Sequence, residues 1–215
     1  SSAPTGSCVP RCSSCSPNEE ERDVETITHR LTDLRRTVGE NDKAVAALQK
    51  LVEQEPDNPS VLAALASTLT DLKKYDEAIK YCDDIIKQAP QSTAGYNLRA
   101  RIKAMKEDVP GAIKDLDEAL KINDKDLQAL LMRGTLHHLQ GNDEQGKADI
   151  DKVLRQEPDL PQAIVQRSRI AASKKKWGDA ISDLQMVLQT DPTNPEYRIL
   201  LASYYVGDSR PRKAI

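Results

Sequence analysis

The chain has 215 residues, with 31 lysines and arginines against 34 aspartates and glutamates, which gives a formal net charge of −3. This balance argues against non-specific nucleic-acid binding, which needs a basic surface, and no apolar run approaches the ~20 residues of a membrane-spanning helix. The sequence contains no phenylalanine and one tryptophan, whereas a β-sandwich of this length would place many aromatic and β-branched residues on its strands. These observations favour an all-α protein without a transmembrane segment.

The first 16 residues differ in composition from the rest of the chain. They are rich in serine, proline and cysteine, carry no acidic residue and show no helical period, so residues 1–16 are expected to form an irregular arm. Cys8, Cys12 and Cys15 could bring three thiolates to one metal ion, although zinc would need a fourth ligand and none is near in sequence. A disulfide within the arm is a second alternative, and a flexible or crosslinked arm without a cofactor is the favoured interpretation.

The two ends of the chain do not determine the cellular compartment of the protein. The chain begins at Ser1 without a methionine and lacks the hydrophobic core of a signal peptide, which indicates a processed or shortened form. Cytoplasmic, periplasmic and secreted locations are therefore all compatible with the sequence. The last repeat is incomplete at Ile215, so we expect the natural protein to continue or this end to fray.

From Pro17 onward the residues follow a helical pattern that divides into repeats. Pro56 and Pro90 lie 34 residues apart, as do Pro158 and Pro192. A small residue stands twelve positions before each of these prolines, namely Ala44, Ala78, Gly146 and Ala180. The period divides the segment 17–215 into units at 25–58, 59–92, 93–126, 127–160 and 161–194, with a partial unit at 195–215.

Each unit predicts two antiparallel helices joined by a polar turn. Apolar residues in the second helix recur at helical spacing, as at Ile79, Cys82, Ile85 and Ile86. Turns are expected near residues 39–42, 73–76, 107–110, 141–144, 175–178 and 208–211. Because one helical pair cannot bury its apolar face alone, we expect the units to stack with one concave and one convex face.

This pattern resembles the tetratricopeptide repeat family. The marks of that family are a small residue at repeat position 8, alanine at 20, apolar residues at 24 and 27, and proline at 32. The second unit carries them as Ala66, Ala78, Cys82, Ile85 and Pro90. The resemblance implies a right-handed superhelical solenoid of antiparallel helix pairs. Asp124 replaces the proline and Gly146 the alanine, and a glycine inside a helix costs about 1 kcal/mol, which predicts a looser second helix in the fourth unit.

The resemblance also implies a function. Proteins of this family bind partners in the concave groove, which is lined by positions 2, 5, 9 and 12 of each first helix. In the middle of this chain those positions supply the candidate binding residues Asn97, Arg101, Thr135, His138, Gln162 and Arg169. We therefore expect a scaffold that binds a protein or an extended peptide, one with an acidic group, in this groove.

Enzymatic activity is not expected from this sequence. It has no glycine-rich phosphate loop, no HExxH motif and no nucleophile elbow, and its three histidines are His29, His137 and His138. Two alternatives stay open beside the scaffold. The repeats could belong to a longer enzyme or assembly factor, or the cysteine arm could have a metal-binding or redox role.

One correlation between repeats predicts ion pairs. Arginine occupies position 7 in units three to five, and aspartate occupies position 23 in the same three units, whereas units one and two have neither. A guanidinium facing the second helix would be costly without a carboxylate, because burying an unpaired charge is unfavourable. We expect the pairs Arg99–Asp115, Arg133–Asp149 and Arg167–Asp183, with a structural role. A register that pairs each aspartate with the next unit's arginine explains the correlation less well.

Overall fold

The computed structural model describes residues 41–209, which form a row of α-helices joined by short turns. The helices are α1 (Asn41–Gln54), α2 (Pro59–Asp71), α3 (Tyr75–Gln88), α4 (Thr93–Met105), α5 (Val109–Ile122), α6 (Leu127–Leu139), α7 (Asp143–Gln156), α8 (Pro161–Ser173), α9 (Trp177–Thr190) and α10 (Pro195–Gly207). The described residues contain no strand, so the all-α prediction is confirmed. The expected first helix of unit one and the cysteine arm lie outside them.

Helices with even numbers are the first helices of units two to six, and helices with odd numbers are second helices. Within a unit the two helices pack against each other, and each second helix also contacts the first helix of the next unit. First helices touch across units as well, since α2 contacts α4, α4 contacts α6 and α6 contacts α8. This stacking is the solenoid of antiparallel helix pairs that was expected. None of the described helices is long and apolar enough to span a membrane.

In units two to five a three-residue turn joins the two helices, within two residues of the expected position. The middle residue adopts the left-handed conformation, with φ of 61° at Lys73, 68° at Glu107, 79° at Gly141 and 58° at Lys175. The next backbone N–H then bonds to the carbonyl five residues earlier, as from Lys74 to Leu69 at 2.8 Å. This bond satisfies a carbonyl that the end of the helix would otherwise leave without a partner.

Small residues lie where the two helices of a unit cross. Positions 8 and 20 are Ala66 with Ala78, Ala100 with Ala112, Gly134 with Gly146, and Ser168 with Ala180, and all eight are buried. A Cβ at Gly146 would lie 2.8 Å from the carbonyl oxygen of Gly134, and a Cβ at Gly134 would lie 3.0 Å from that of Gly146. The crossing in unit four is therefore backbone against backbone. Helix α7 keeps the same 14-residue length as the other second helices.

The apolar core runs along the stack as a series of clusters, each shared between neighbouring units. Leu65, Leu69 and Cys82 belong to the first cluster, and Leu184 and Val187 to the last. These five residues are at most 2% exposed. Burying a leucine-sized side chain stabilises the fold by about 1.5–3 kcal/mol, so the clusters hold the repeats to one another as well as to themselves.

The three predicted ion pairs are present, and each is bidentate. Nε and Nη2 of Arg99 donate to the two carboxylate oxygens of Asp115 at 2.9 and 2.6 Å. The corresponding distances are 2.8 and 2.7 Å for Arg133 with Asp149, and 2.9 and 2.7 Å for Arg167 with Asp183. The prediction made from the position 7 and position 23 correlation is confirmed. We call each of these pairs a rung.

Two of the rungs include a second carboxylate that the sequence did not predict. Nη1 of Arg99 donates to Asp83 at 2.5 Å, and Nη1 of Arg133 donates to Asp117 at 2.7 Å. Both aspartates occupy position 25 of the preceding unit, so these rungs join neighbouring repeats. The hydrogen bonds that Arg99 donates to Asp115, and Arg133 to Asp149, raise the pKa values of the two arginines above their ordinary value, and burial opposes this in part.

Candidate partner-binding groove

The groove positions of the first helices differ in how accessible they are. Position 2 is exposed in every described unit, with Ser60, Ala94, Gln128, Gln162 and Glu196. Position 9 is exposed or half-buried, with Ser67, Arg101, Thr135, Arg169 and Ser203. A partner in the groove would therefore meet positions 2 and 9.

Positions 5 and 12 are largely covered by the following unit. At position 5, Val165 is 6% exposed in unit five, but Ile199 is 71% exposed in α10. At position 12, Thr70 is 5% exposed in unit two, but Val206 is 62% exposed in α10. The difference arises because α2 and α8 are followed by another described pair of helices, whereas α10 is not. Side chains at these two positions hold one repeat against the next.

Asn97, which was expected to contact a partner, is instead buried at position 5 of α4. It is 4% exposed, and its Nδ2 donates to Oδ2 of Asp126 at 3.0 Å. Asp126 caps α6, because its Oδ1 accepts the backbone N–H of Ala129 at 3.0 Å. Burial raises the pKa of Asp126, but hydrogen bonds from Thr93, Ala129 and Asn97 outweigh that effect and leave the pKa below its ordinary value. Asn97 thus positions the next helix.

His138 and Thr135 also make internal hydrogen bonds. Nδ1 of His138 lies 2.6 Å from Oδ1 of Asp143, whose Oδ2 accepts the hydroxyl of Ser173 at 2.6 Å. This chain of hydrogen bonds links α6, α7 and α8, and the bonds from Ser173 and His138 lower the pKa of Asp143. Oγ1 of Thr135 donates to the carbonyl of Leu131 at 2.8 Å. Both groove side chains are half-buried, with part of their surface facing solvent.

Arg101, Gln162 and Arg169 remain available on the groove surface. All three are exposed, and within residues 41–209 none of them makes a side-chain hydrogen bond or an ion pair. Arg101 and Arg169 occupy position 9 of units three and five. The charged groove side chains at positions 2 and 9 of the described units are these two arginines and Glu196. The middle of the groove is therefore locally cationic in a chain of negative net charge.

The three cysteines that were considered as metal ligands belong to the N-terminal arm. Cys8, Cys12 and Cys15 lie outside the described residues, and among the described ones no group of three or more histidine, cysteine or acidic side chains is arranged to hold a metal ion. Cys82 is a free, buried thiol in the first core cluster.

Comparison with known proteins supports the helical-repeat fold described above. The family model described as tetratricopeptide repeat matches residues 37–102. No curated protein matches the sequence at a significant level.

Solved structures of low sequence identity share the architecture over most of the chain. A thermophilic TPR protein of Thermus thermophilus is 20% identical with a TM-score of 0.70, over 86% of this chain and 99% of that one. PilW, a type IV pilus biogenesis factor, is 16% identical with a TM-score of 0.74, over 92% and 91%. YrrB, a TPR protein with an unusual peptide-binding site, is 16% identical with a TM-score of 0.60, over 79% and 87%. At such identities the likeness is one of fold.

Proposed function

We propose that this chain is a scaffold that binds a partner protein or peptide in its concave groove. It has the fold of tetratricopeptide repeat proteins, a right-handed superhelical solenoid, and the family model of that name matches residues 37–102. Tetratricopeptide repeats generally mediate protein–protein interaction, and proteins built from them are generally scaffolds without enzymatic activity. The contact residues proposed here are Arg101, Gln162 and Arg169, with Thr135 and His138 contributing their exposed surface. Asn97 supports the groove from beneath.

The observation that carries this proposal is the contrast between two sets of arginines. Arg99, Arg133 and Arg167 at position 7 are each held by carboxylates of the chain itself. Arg101 and Arg169, two residues further along their helices, are exposed and have no carboxylate partner within the described part of the chain. A guanidinium binds a carboxylate bidentately, so the two groove arginines favour a partner with acidic side chains.

The spacing of the two arginines suggests the form of the partner. They lie two repeats apart, which corresponds to roughly 16–20 Å because packed helices lie about 8–10 Å from each other. An extended peptide spans that distance in about five or six residues at roughly 3.3 Å per residue. We infer an extended segment with two acidic groups separated by about that number of residues. A repeat domain within a longer enzyme or assembly factor would use the groove in the same way.

Site-specific photo-crosslinking tests the proposal. A photoreactive phenylalanine derivative is placed singly at Arg101 or Arg169 in the groove, and at Lys87 or Arg155 on second helices as matched exposed controls. We expect both groove positions to crosslink to the same partner and both second-helix positions to give no such product. Crosslinks to that partner from Lys87 and Arg155 alone would contradict a groove-binding role. Circular dichroism confirms that each labelled protein is folded.

A further inference from the structure

A cavity of about 390 Å³ lies beside the rung of unit five, between α7, α8 and α9. Its wall includes the side chains of Arg167 and Asp183, the small side chain of Ala171, and the lysines Lys147 and Lys174. It uses none of the groove residues Arg101, Gln162 and Arg169. The cavity lies next to the rung of unit five, so the surroundings of this rung can be compared directly with those of the rungs in units three and four.

The rung of unit five lacks the second carboxylate that the other two rungs have. Nη1 of Arg99 and Nη1 of Arg133 each donate to an aspartate of the preceding unit, but within the described residues Nη1 of Arg167 has no such acceptor. The aspartate at the corresponding position is Asp151, and its Oδ2 instead accepts Nζ of Lys147 at 2.5 Å. The side chain of Arg167 is 34% exposed, compared with 20% for Arg99 and for Arg133.

Position 11 explains why the space beside this rung is open. In unit three it is Lys103, whose Nζ lies 2.8 Å from Oδ2 of Asp115, and in unit four it is His137. In unit five it is Ala171, which stops at Cβ and leaves the region next to Asp183 unfilled. The cavity therefore lies where unit three places the side chain of Lys103, which reaches the carboxylate of its own rung.

We propose that this cavity binds an aspartate or glutamate side chain of a partner protein at Nη1 of Arg167. The occupant is a carboxylate because the same atom of Arg99 and of Arg133 holds a carboxylate within the chain. Four cationic side chains, Lys147, Arg167, Lys174 and Lys176, line the cavity against Glu144, Asp179 and Asp183. Lys147 is paired with Asp151 and Lys174 with Glu144, so the positive charge offered to a ligand is that of Arg167 and Lys176. A guanidinium with one edge already bound to Asp183 presents its remaining N–H groups in a fixed direction, which favours capture of an acidic group.

The test uses side-chain NMR of the whole chain labelled with ¹⁵N. The Nε–Hε signals of Arg167, Arg101 and Arg169 are followed while a hexaglutamate peptide is added, with a hexaglutamine peptide as the uncharged control. We expect a saturable shift of the Arg167 signal with hexaglutamate and none with hexaglutamine. If hexaglutamate shifts Arg101 and Arg169 but leaves Arg167 unmoved, the cavity proposal is overturned while the groove proposal stands. If a hexalysine peptide shifts Arg167 instead, the cavity is a cation site and the proposal is equally wrong.

A matched pair of variants separates specific binding from general attraction of a polyanion. Lys147→Gln releases Asp151, which can then bond Nη1 of Arg167 as Asp83 and Asp117 bond their arginines. Lys152→Gln removes the same charge from an exposed residue of the same helix, α7. We expect the affinity of hexaglutamate at Arg167 to fall at least fivefold in Lys147→Gln and to stay within twofold in Lys152→Gln. Equal weakening in the two variants would overturn the proposal.

Discussion

At the scale of single residues, Gly146 shows how a helix can gain from a residue of poor helix propensity. Replacing it with alanine would improve propensity by about 1 kcal/mol, but the new Cβ would lie 2.8 Å from a backbone oxygen that cannot move aside cheaply. Overpacking of this kind typically costs about 1–3 kcal/mol. We therefore expect Gly146→Ala to lower the free energy of unfolding by up to about 2 kcal/mol in urea titrations.

Gly178 provides the control for that substitution. It also lies in a second helix, α9, but a Cβ there would meet no atom within 4 Å. Gly178→Ala should stabilise the protein by up to about 1 kcal/mol, because only the propensity term applies. Equal effects of the two substitutions would show that the close crossing of α6 and α7 has no energetic consequence.

Cys82 is a second residue whose chemistry is decided by its surroundings. Burial raises the pKa of its thiol to about 12, with Arg99 opposing the shift. The thiolate is the reactive form, so Cys82 should resist alkylation by iodoacetamide at pH 7.5 in the folded protein and react once urea unfolds it. Peptide mass spectrometry measures the alkylation of Cys82 separately from that of the other cysteines. Native-state alkylation as fast as in urea would contradict the prediction.

At the scale of the helices, the rungs should differ in their contribution to stability. Arg133→Met removes the ion-pair partner of Asp149, whose side chain is 5% exposed. Removing one partner of a buried pair can cost about 3–5 kcal/mol, and partial exposure of Arg133 reduces our expectation to about 3 kcal/mol. Arg167→Met should cost about 1–2 kcal/mol, because Asp183 at 11% exposure and its cavity admit water.

Urea midpoints of the two variants measure this difference. Arg155→Met removes an exposed arginine of α7 and should change stability by no more than about 0.5 kcal/mol, which makes it the matched control. A smaller loss of stability for Arg133→Met than for Arg167→Met would mean that the Arg133–Asp149 rung is not the more tightly packed of the two.

The contacts between units should also respond to acid. The pKa values of Asp126 and Asp143 are lower in the folded protein than the ordinary value of 3.8, so folding favours their ionised forms. Their contribution to stability is complete above the ordinary pKa and is lost as the pH falls through the lower, folded-state pKa. We expect the urea midpoint to fall as the pH is lowered from 5 to 3, and to fall less steeply in the Asp126→Asn, Asp143→Asn double variant. An unchanged slope would contradict this account.

At the scale of the whole molecule, the 34-residue period predicted most of the fold. It placed the turns within two residues and the small residues at the helix crossings, because each repeat obeys the same local rules. The correlated arginines and aspartates predicted the rungs within units. The second carboxylates, Asp83 and Asp117, come from the preceding unit, and their reach depends on how one repeat is offset from the next. The 34-residue period does not predict how far one repeat is offset from the next.

The same offset explains what was missed in the groove. Asn97 was expected to face a partner, but the following unit covers position 5 and brings the side chain to Asp126. One signal was present in the sequence, since position 5 is apolar at Leu131 and Val165 in the two units that follow. The proposed contact set is therefore narrower than the one predicted from the sequence and centres on the exposed residues Arg101, Gln162 and Arg169.

The most direct test of a groove-binding scaffold is the affinity of the partner recovered by crosslinking, measured by calorimetric titration. The Arg101→Ala, Arg169→Ala variant removes both groove cations, and the Arg155→Ala, Arg198→Ala variant removes two exposed arginines away from positions 2 and 9. The free energy of unfolding of both variants should lie within about 0.5 kcal/mol of that of the parent chain, since all four side chains are exposed. Hydrogen bonds to charged groups contribute about 1.5–3 kcal/mol each, so the groove variant should bind at least about tenfold more weakly. The control should stay within about twofold of the parent chain. Equal affinity in the groove variant and its control would contradict the account.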